Sequence, residues 1–201
     1  GGGDGALGGD SIFTDETLAQ TGIGASGQKN AQLAVDAEPS AETELLREVG
    51  TLLIGENGSG MLSETEMEHV LVKVTDEGLV VDIFSRPGAL LFDPVDEVPT
   101  ALFDAIVDTV AEVFAMTTNP VAIAGYSRAS PVVVAENPAW DRSFQRARHA
   151  KARLGRSLSP ERVRRAAAHA DRLPASDNPM AVRNDRVELV LLRRDRTGAE
   201  N

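Results

Sequence analysis

The sequence predicts an α/β domain of the α+β sandwich kind, a mixed sheet with helices on one face, preceded by a flexible linker. Three observations predict it. Two short alternating runs flank a turn at Thr75–Gly78 and read as a hairpin. A strongly periodic helix then leads into the fully apolar run Val121-Ala122-Ile123-Ala124, the pattern of a strand buried on both faces. A last alternating run closes the chain at 186–193. Helices between strands imply crossovers, which put the helices against the sheet.

The elements follow in order. Residues 1–44 read as a linker: they hold 9 of the 18 glycines, and from Gly22 to Ser40 they are small and polar. Such a segment buries too little apolar surface to offset its ordering entropy. Within it, Ser11–Ala19 reads either as two turns of helix, capped by Ser11 or Thr14, or as a transient turn. Residues 42–54 form a short amphipathic helix on Leu45, Leu46, Val49, Leu52 and Leu53, ending near Gly55. With a second short helix at Ser63–Glu68 it makes a linker-helix region over 45–67, ahead of a domain at 68–195 and a tail at 196–201. Val70, Val72 and Val74 alternate in the first strand, and Leu79–Phe84 is the second. Pro99-Thr100 opens a helix with Leu102, Phe103, Ile106, Val107, Val110, Val113 and Phe114 on its apolar side, and Asn119-Pro120 breaks it. Pro138 starts the next helix, with Trp140, Phe144, Ala147 and Leu154 on one stripe. Residues 162–170 form only a weak element. Arg186–Arg193, with Val187, Leu189 and Leu191 alternating, is the final strand.

Composition narrows the function classes. The 201 residues suffice for one core plus a tail, and with 4% aromatics that core must be Val, Leu, Ile and Ala. The absence of cysteine excludes disulfides, thiol catalysis and thiolate metal sites. No run approaches the roughly 20 apolar residues of a membrane span. The opening Gly1-Gly2-Gly3 lacks a signal-peptide pattern, so an excised or processed fragment is expected. Residues 1–118 carry 4 Lys+Arg against 22 Asp+Glu, and residues 119–201 carry 16 against 9. The basic half lacks aromatic stacking residues and its arginines are spread over helix and strand, which favours a solvated basic face over nucleic-acid binding.

Four segments carry a family resemblance. His69–Phe84 with Leu91-Phe92 resembles the opening strands of the OmpA-like domain in flagellar stator B subunits (MotB). Val121–Ser127 is similar to that family's central strand and its GHTD/GYTD turn. Trp140–Ala147 is similar to its WELSxxRA helix, and Asn184–Leu189 to its NRRVEI strand. The match covers roughly 65–193. The resemblance implies an OmpA-like β-α-β-α-β domain, no enzymatic activity and no cofactor. It implies the periplasmic part of a stator subunit, tethered to the inner membrane by an N-terminal helix and dimeric. Its partners would be peptidoglycan, MotA through the absent helix, and flagellar ring proteins. The Gly-rich segment with its Asp10–Ala19 island resembles the linker whose amphipathic plug holds the ion channel shut until assembly.

The family clamps the diaminopimelate part of peptidoglycan with a helix arginine and a turn aspartate. Carried over by motif, the site is Arg146, Ser143, Arg186, Arg128 and Ser127. Arg146 stands at the helix arginine, Ser143 at the motif serine and Arg186 at the second arginine of the last strand. Arg128 stands where the aspartate belongs, Ala139 where an asparagine is usual, and Asp185 replaces the first strand arginine. The implied site has lost its ammonium half and kept its carboxylate half. Either the wall is gripped through carboxylates by Arg128, Arg146 and Arg186, or another partner has replaced it.

Other readings are weaker. Gly125-Tyr126-Ser127-Arg128-Ala129 also resembles a nucleophile elbow, with Asp141 or Asp171 and His149 or His169 downstream, but Pro131-Val132-Val133-Val134 is poor material for the helix that must follow. His69, His149 and His169 are scattered, and no HxxxH or carboxylate cluster supports a metal. The acids of 93–112 face water on a helix. The main alternative is a different OmpA-like anchor, such as an outer-membrane lipoprotein or a secretion-system component.

Overall fold

A computed structural model describes residues 40–133 and 136–195. The chain divides into two units at Ser40/Ala41, and the described elements all belong to the second. The predicted plug island and most of the predicted linker lie outside the described residues.

The second unit opens with helix α1 (Ala41–Ile54) and a single turn, α2 (Glu64–Met67). The hairpin β1 (Val70–Val74) and β2 (Gly78–Phe84) follows, then α3 (Ala101–Ala115), β3 (Val121–Tyr126) and α4 (Ala139–Leu154). Strands β4 (Val163–Ala168) and β5 (Arg186–Leu192) complete it. The sheet order is β1-β2-β5-β3-β4; only β3 and β4 pair in parallel. This is the mixed sheet and α+β arrangement expected from the sequence. The two faces follow from the two-residue side-chain period. Leu79, Val81 and Ile83 of β2 join Val187, Leu189 and Leu191 of β5 and the buried sides of α1, α3 and α4 in the main core. Val80, Ala122 and Val190 form a small cluster on the other face.

Local chemistry places the ends. Ser63 and Glu66 close a reciprocal capping box at α2. The Thr100 hydroxyl accepts the Phe103 amide at the start of α3. Gly55, at φ +73°, follows α1, and a Cβ there would lie 2.3 Å from the Gly60 nitrogen. Leu46, Val49 and Leu53 of α1 are almost wholly buried. The helix starting at Ala41 is therefore part of the compact unit, although its beginning fell inside the segment read as linker.

Three expectations change. Residues 162–170 are not a weak element: Val163–Ala168 is the edge strand β4. Its Val-Arg-Arg-Ala-Ala-Ala sequence lacks apolar alternation, and pairing with β3 supplies what propensity does not. On α4 the buried side is Ala139, Ser143, Arg146, Ala147, Ala150 and Leu154. Trp140 and Phe144, read as core, are about half exposed at 53% and 48%. The basic half is more than a solvated face, since Arg146 and Arg186 are buried.

Arg162, partly buried, also does more than face solvent. Its guanidinium donates to the carbonyls of Asn119 (2.6 Å), Thr117 (2.9 Å) and Phe114 (3.0 Å). The Phe114 carbonyl also accepts the Thr117 amide (3.1 Å), whereas the Thr117 and Asn119 carbonyls, beyond the end of α3, rely on the arginine. Arg162→Ala is expected to cost roughly 2–3 kcal/mol, the scale of lost charged hydrogen bonds with carbonyls left unmet. Urea unfolding measures it; an unchanged midpoint would show that water replaces the arginine at no cost.

Candidate functional site

Four of the five implied site residues, Ser127, Arg128, Ser143 and Arg146, gather where β3 ends beside α4. The approach is close because position 125 is glycine: a Cβ there would lie 2.0 Å from the Ser143 carbonyl oxygen and 3.1 Å from the Ala147 Cβ. Ser143, fully buried, then ties three segments together. Its hydroxyl donates to the Trp140 carbonyl (2.9 Å) and accepts the Ala170 amide (3.0 Å) beyond β4. The Ser127 amide donates to the Ala170 carbonyl (2.8 Å). Ser127 is also buried, and its hydroxyl donates to the Arg128 carbonyl (3.1 Å). Residues 127–133 form no helix, so the strand–turn–helix geometry of a nucleophile elbow is not formed.

Arg146 is the hub. Its side chain is 2% exposed. One terminal nitrogen donates to Asp185 Oδ1 (2.6 Å) and to the Tyr126 carbonyl (2.9 Å), and the other to Glu97 Oε2 (2.8 Å). Its guanidinium carbon lies 4.2 Å from the Phe92 ring centre. Asp185 Oδ1 also accepts the Arg128 amide (3.0 Å), and the Arg128 Nε is 3.4 Å from Asp185 Oδ2. Glu97 Oε1 takes the Arg142 Nε at 2.8 Å. Three guanidinium groups thus share two carboxylates, a net positive centre in a setting where pairing outweighs screening. The acids of 93–112 do not simply face water. Glu97 is in this centre, while Asp104 and Asp108 of α3 bind Arg153 of α4, and Asp104 also meets His149 at 2.7 Å.

The site opens to solvent through a groove of about 320 Å³, lined by Arg128, Ala129, Pro131, Pro138, Arg142 and Met180. Arg128 is a third exposed and Arg142 a quarter, so these two present charge to it while Arg146 stays behind them.

Arg186 does not join this group. Register pairs it with Tyr126, and alternation turns it to the sheet face away from the helices. There its guanidinium lies 3.5 Å from the Tyr126 ring centre, 3.6 Å from Asp82 and against Glu188, and it donates to the Leu173 carbonyl. The Tyr126 hydroxyl donates to Glu188 (2.9 Å), and the ring stacks on His169 at 4.9 Å. Burial first, then the Glu188 carboxylate, push the Tyr126 phenol well above its usual range, so it stays a donor at physiological pH. His69 is buried at a strand end, with Nδ1 2.8 Å from the Phe84 carbonyl. Among the described residues no His, Asp or Glu group is arranged to hold a metal, and no helix is long and apolar enough to cross a membrane.

Sequence reasoning missed Arg142, Glu97 and the part played by Asp185. Arg142 had a signal, its place four residues before Arg146 on the same helix. Asp185 had a subtler one. Against the resembled pattern, position 128 exchanges acid for base and position 185 base for acid, and the two residues prove to be in contact. Glu97 had none.

No family model matches the chain, and no curated protein matches it in sequence. Solved structures match in fold. A MotB-like protein from Desulfovibrio vulgaris superposes with a TM-score of 0.54 at 17% identity, over 76% of this chain and 97% of that one. The periplasmic domain of Helicobacter pylori MotB gives 0.51 at 14%, over 65% and 83%. The cell wall anchor of the T6SS from Pseudomonas aeruginosa gives 0.50 at 21%, over 65% and 92%. At these identities the likeness is one of fold: the chain has the α+β fold of such MotB and OmpA-like domains.

Proposed function

We propose that this chain is the periplasmic part of a flagellar stator B subunit, a non-enzymatic domain that anchors the stator to the cell wall. The carrying observation is the mixed-charge centre at the end of β3, open through the groove beside Arg128 and Arg142. Exposed guanidinium groups suit the carboxylates of wall peptides, for which arginine offers a planar pair of donors. Asp185 brings a carboxylate into contact with Arg128 and Arg146, so an acid is held in the centre despite the exchange at 128. Ser143 acts as a strut, Arg146 anchors the centre through Asp185 and the Tyr126 carbonyl, Ser127 shapes the turn, and Arg186 braces the opposite face. The remaining parts of the reading rest on the sequence resemblance. A membrane helix outside this chain would tether it to the inner membrane and pair with MotA. The domain would dimerise and meet flagellar ring proteins, and the 10–20 segment would plug the ion channel.

The test is co-sedimentation of the chain with purified peptidoglycan sacculi. The native chain is expected to pellet, and Arg128→Ala, at an exposed position, to weaken pelleting roughly tenfold, one charge-assisted contact. Equal pelleting of both would remove the groove from the binding site. A chain that stays in the supernatant would point to a stator variant that holds a protein partner instead of the wall.

A second reading, another OmpA-like envelope anchor, is favoured by the match to the secretion-system anchor at the highest identity of the three. Restored motility in cells lacking their own B subunit would separate them, once the chain is joined to a stator membrane helix.

A further inference from the structure

The loop between β2 and α3 is rooted in the core by Leu91 and Phe92, but its outer segment, residues 93–98, reaches the positive centre and is held by polar contacts. Asp93 Oδ1 accepts the amides of Val95 (2.7 Å) and Asp96 (3.2 Å), which hold its carboxyl below the usual range. The Glu97 amide donates to the Asp93 carbonyl (3.0 Å), and the Asp93 amide to the Val98 carbonyl (2.8 Å). The apolar side chains of this segment contribute little: Val95 is 90% exposed and Val98 55%. Glu97 itself stands at φ +59°, in the left-handed region that a side chain disfavours. Such a residue persists only where its surroundings hold it. Its amide bond to Asp93 and its carboxylate hold it, one carboxylate oxygen 2.8 Å from Arg142 Nε and the other 2.8 Å from an Arg146 terminal nitrogen.

We infer that Arg142 and Arg146 form a carboxylate-binding site that the chain fills with its own Glu97, and that an incoming carboxylate-bearing peptide displaces it. Three features support this. The carboxylate is bound by two guanidinium groups through separate oxygens, the geometry an external carboxylate would adopt. Arg142 also lines the open groove, so a ligand entering there meets one of the two groups that Glu97 occupies. The 93–98 segment that carries Glu97 has strained backbone and no buried apolar side chain, the marks of a segment that opens at low cost. Glu97 thereby competes with the ligand, and the affinity of the site is set by the difference between the two. The inference deepens the wall-anchoring reading and rests on it for the identity of the ligand.

The test compares the native chain with Glu97→Gln and Glu97→Gly. Glutamine keeps the shape and removes the charge; glycine removes the side chain and suits the positive φ, so it keeps the fold if glutamine does not. Thermal unfolding checks both. Two probes are used: purified sacculi by co-sedimentation, and acetate by NMR titration of the arginine Nε–Hε signals. Both variants are expected to bind sacculi roughly tenfold more tightly than the native chain. If native and variant chains pellet equally, Glu97 is not a competitor, and the anchoring role stands without it. If none pellets but acetate shifts the Arg142 Nε–Hε signal in the variants only, Glu97 occupies a carboxylate site whose ligand is not the wall. If neither probe separates the variants from the native chain, the inference is overturned.

Discussion

Arg146→Ala is expected to destabilise the domain by about 3–5 kcal/mol, the cost of leaving a buried charge without its partner. The Asp185 side chain is 9% exposed, and with Arg146 gone it would keep only the Arg128 amide and the longer Arg128 Nε contact. The Tyr126 carbonyl would lose its donor and Glu97 one of its two guanidinium groups. Denaturant titration measures the loss. A double-mutant cycle with Asp185→Asn identifies its cause: with the carboxylate neutral, the same alanine is expected to cost less, by roughly 1.5–3 kcal/mol. If the two substitutions simply add, Arg146 acts through its contacts with Tyr126, Glu97 and Phe92 and not through Asp185. A loss of wall binding in Arg146→Ala would therefore not identify a wall contact, because the fold suffers too. Arg128→Ala and Glu97→Gln are the cleaner probes.

Gly125→Ala is expected to cost about 3 kcal/mol or more, at the upper end for overpacking. The new methyl would press on the Ser143 carbonyl, which is helix backbone and has no rotamer to escape to. Helix α4 would have to move off β3, carrying Ser143 and Arg146 with it and breaking the bond from Ser143 to the Ala170 amide. Gly88→Ala is the control. Gly88 lies at φ +78° with nothing within 4 Å of its Cβ direction, so only the backbone penalty of about 1–2 kcal/mol applies. Equal midpoints for the two alanine variants would mean that α4 adjusts freely, and that the close approach at Gly125 does not fix the site.

The periodic parts of the fold were legible because their signals are local. Thr100 and the apolar stripe of α3, the hairpin turn at Thr75–Gly78 and the alternation of β5 each lie within one segment, and the elements formed close to where they were read, although α3 stops at Ala115, four residues before the Asn119-Pro120 read as its break. Strand β4 was not legible, because an edge strand of small and basic residues draws its order from its neighbour's backbone. Nor was the burial on α4. Trp140 and Phe144 share a stripe with Ala147, but the narrow gap set by Gly125 admits Ser143, Ala147 and Ala150 and leaves the rings outside.

By itself, the sequence determined the kinds and order of the main elements and, through the family resemblance, pointed to a candidate site near Arg128, Ser143 and Arg146. Only the tertiary structure decided what those residues do. Asp185 and Glu97 are 39 and 49 positions from Arg146, and no periodicity links them. Backbone pattern follows from neighbours along the chain, whereas the state of a buried charge follows from whatever the fold brings within hydrogen-bond reach. Motif position suggested an arginine free to take a ligand; the folded chain has already given it two carboxylates.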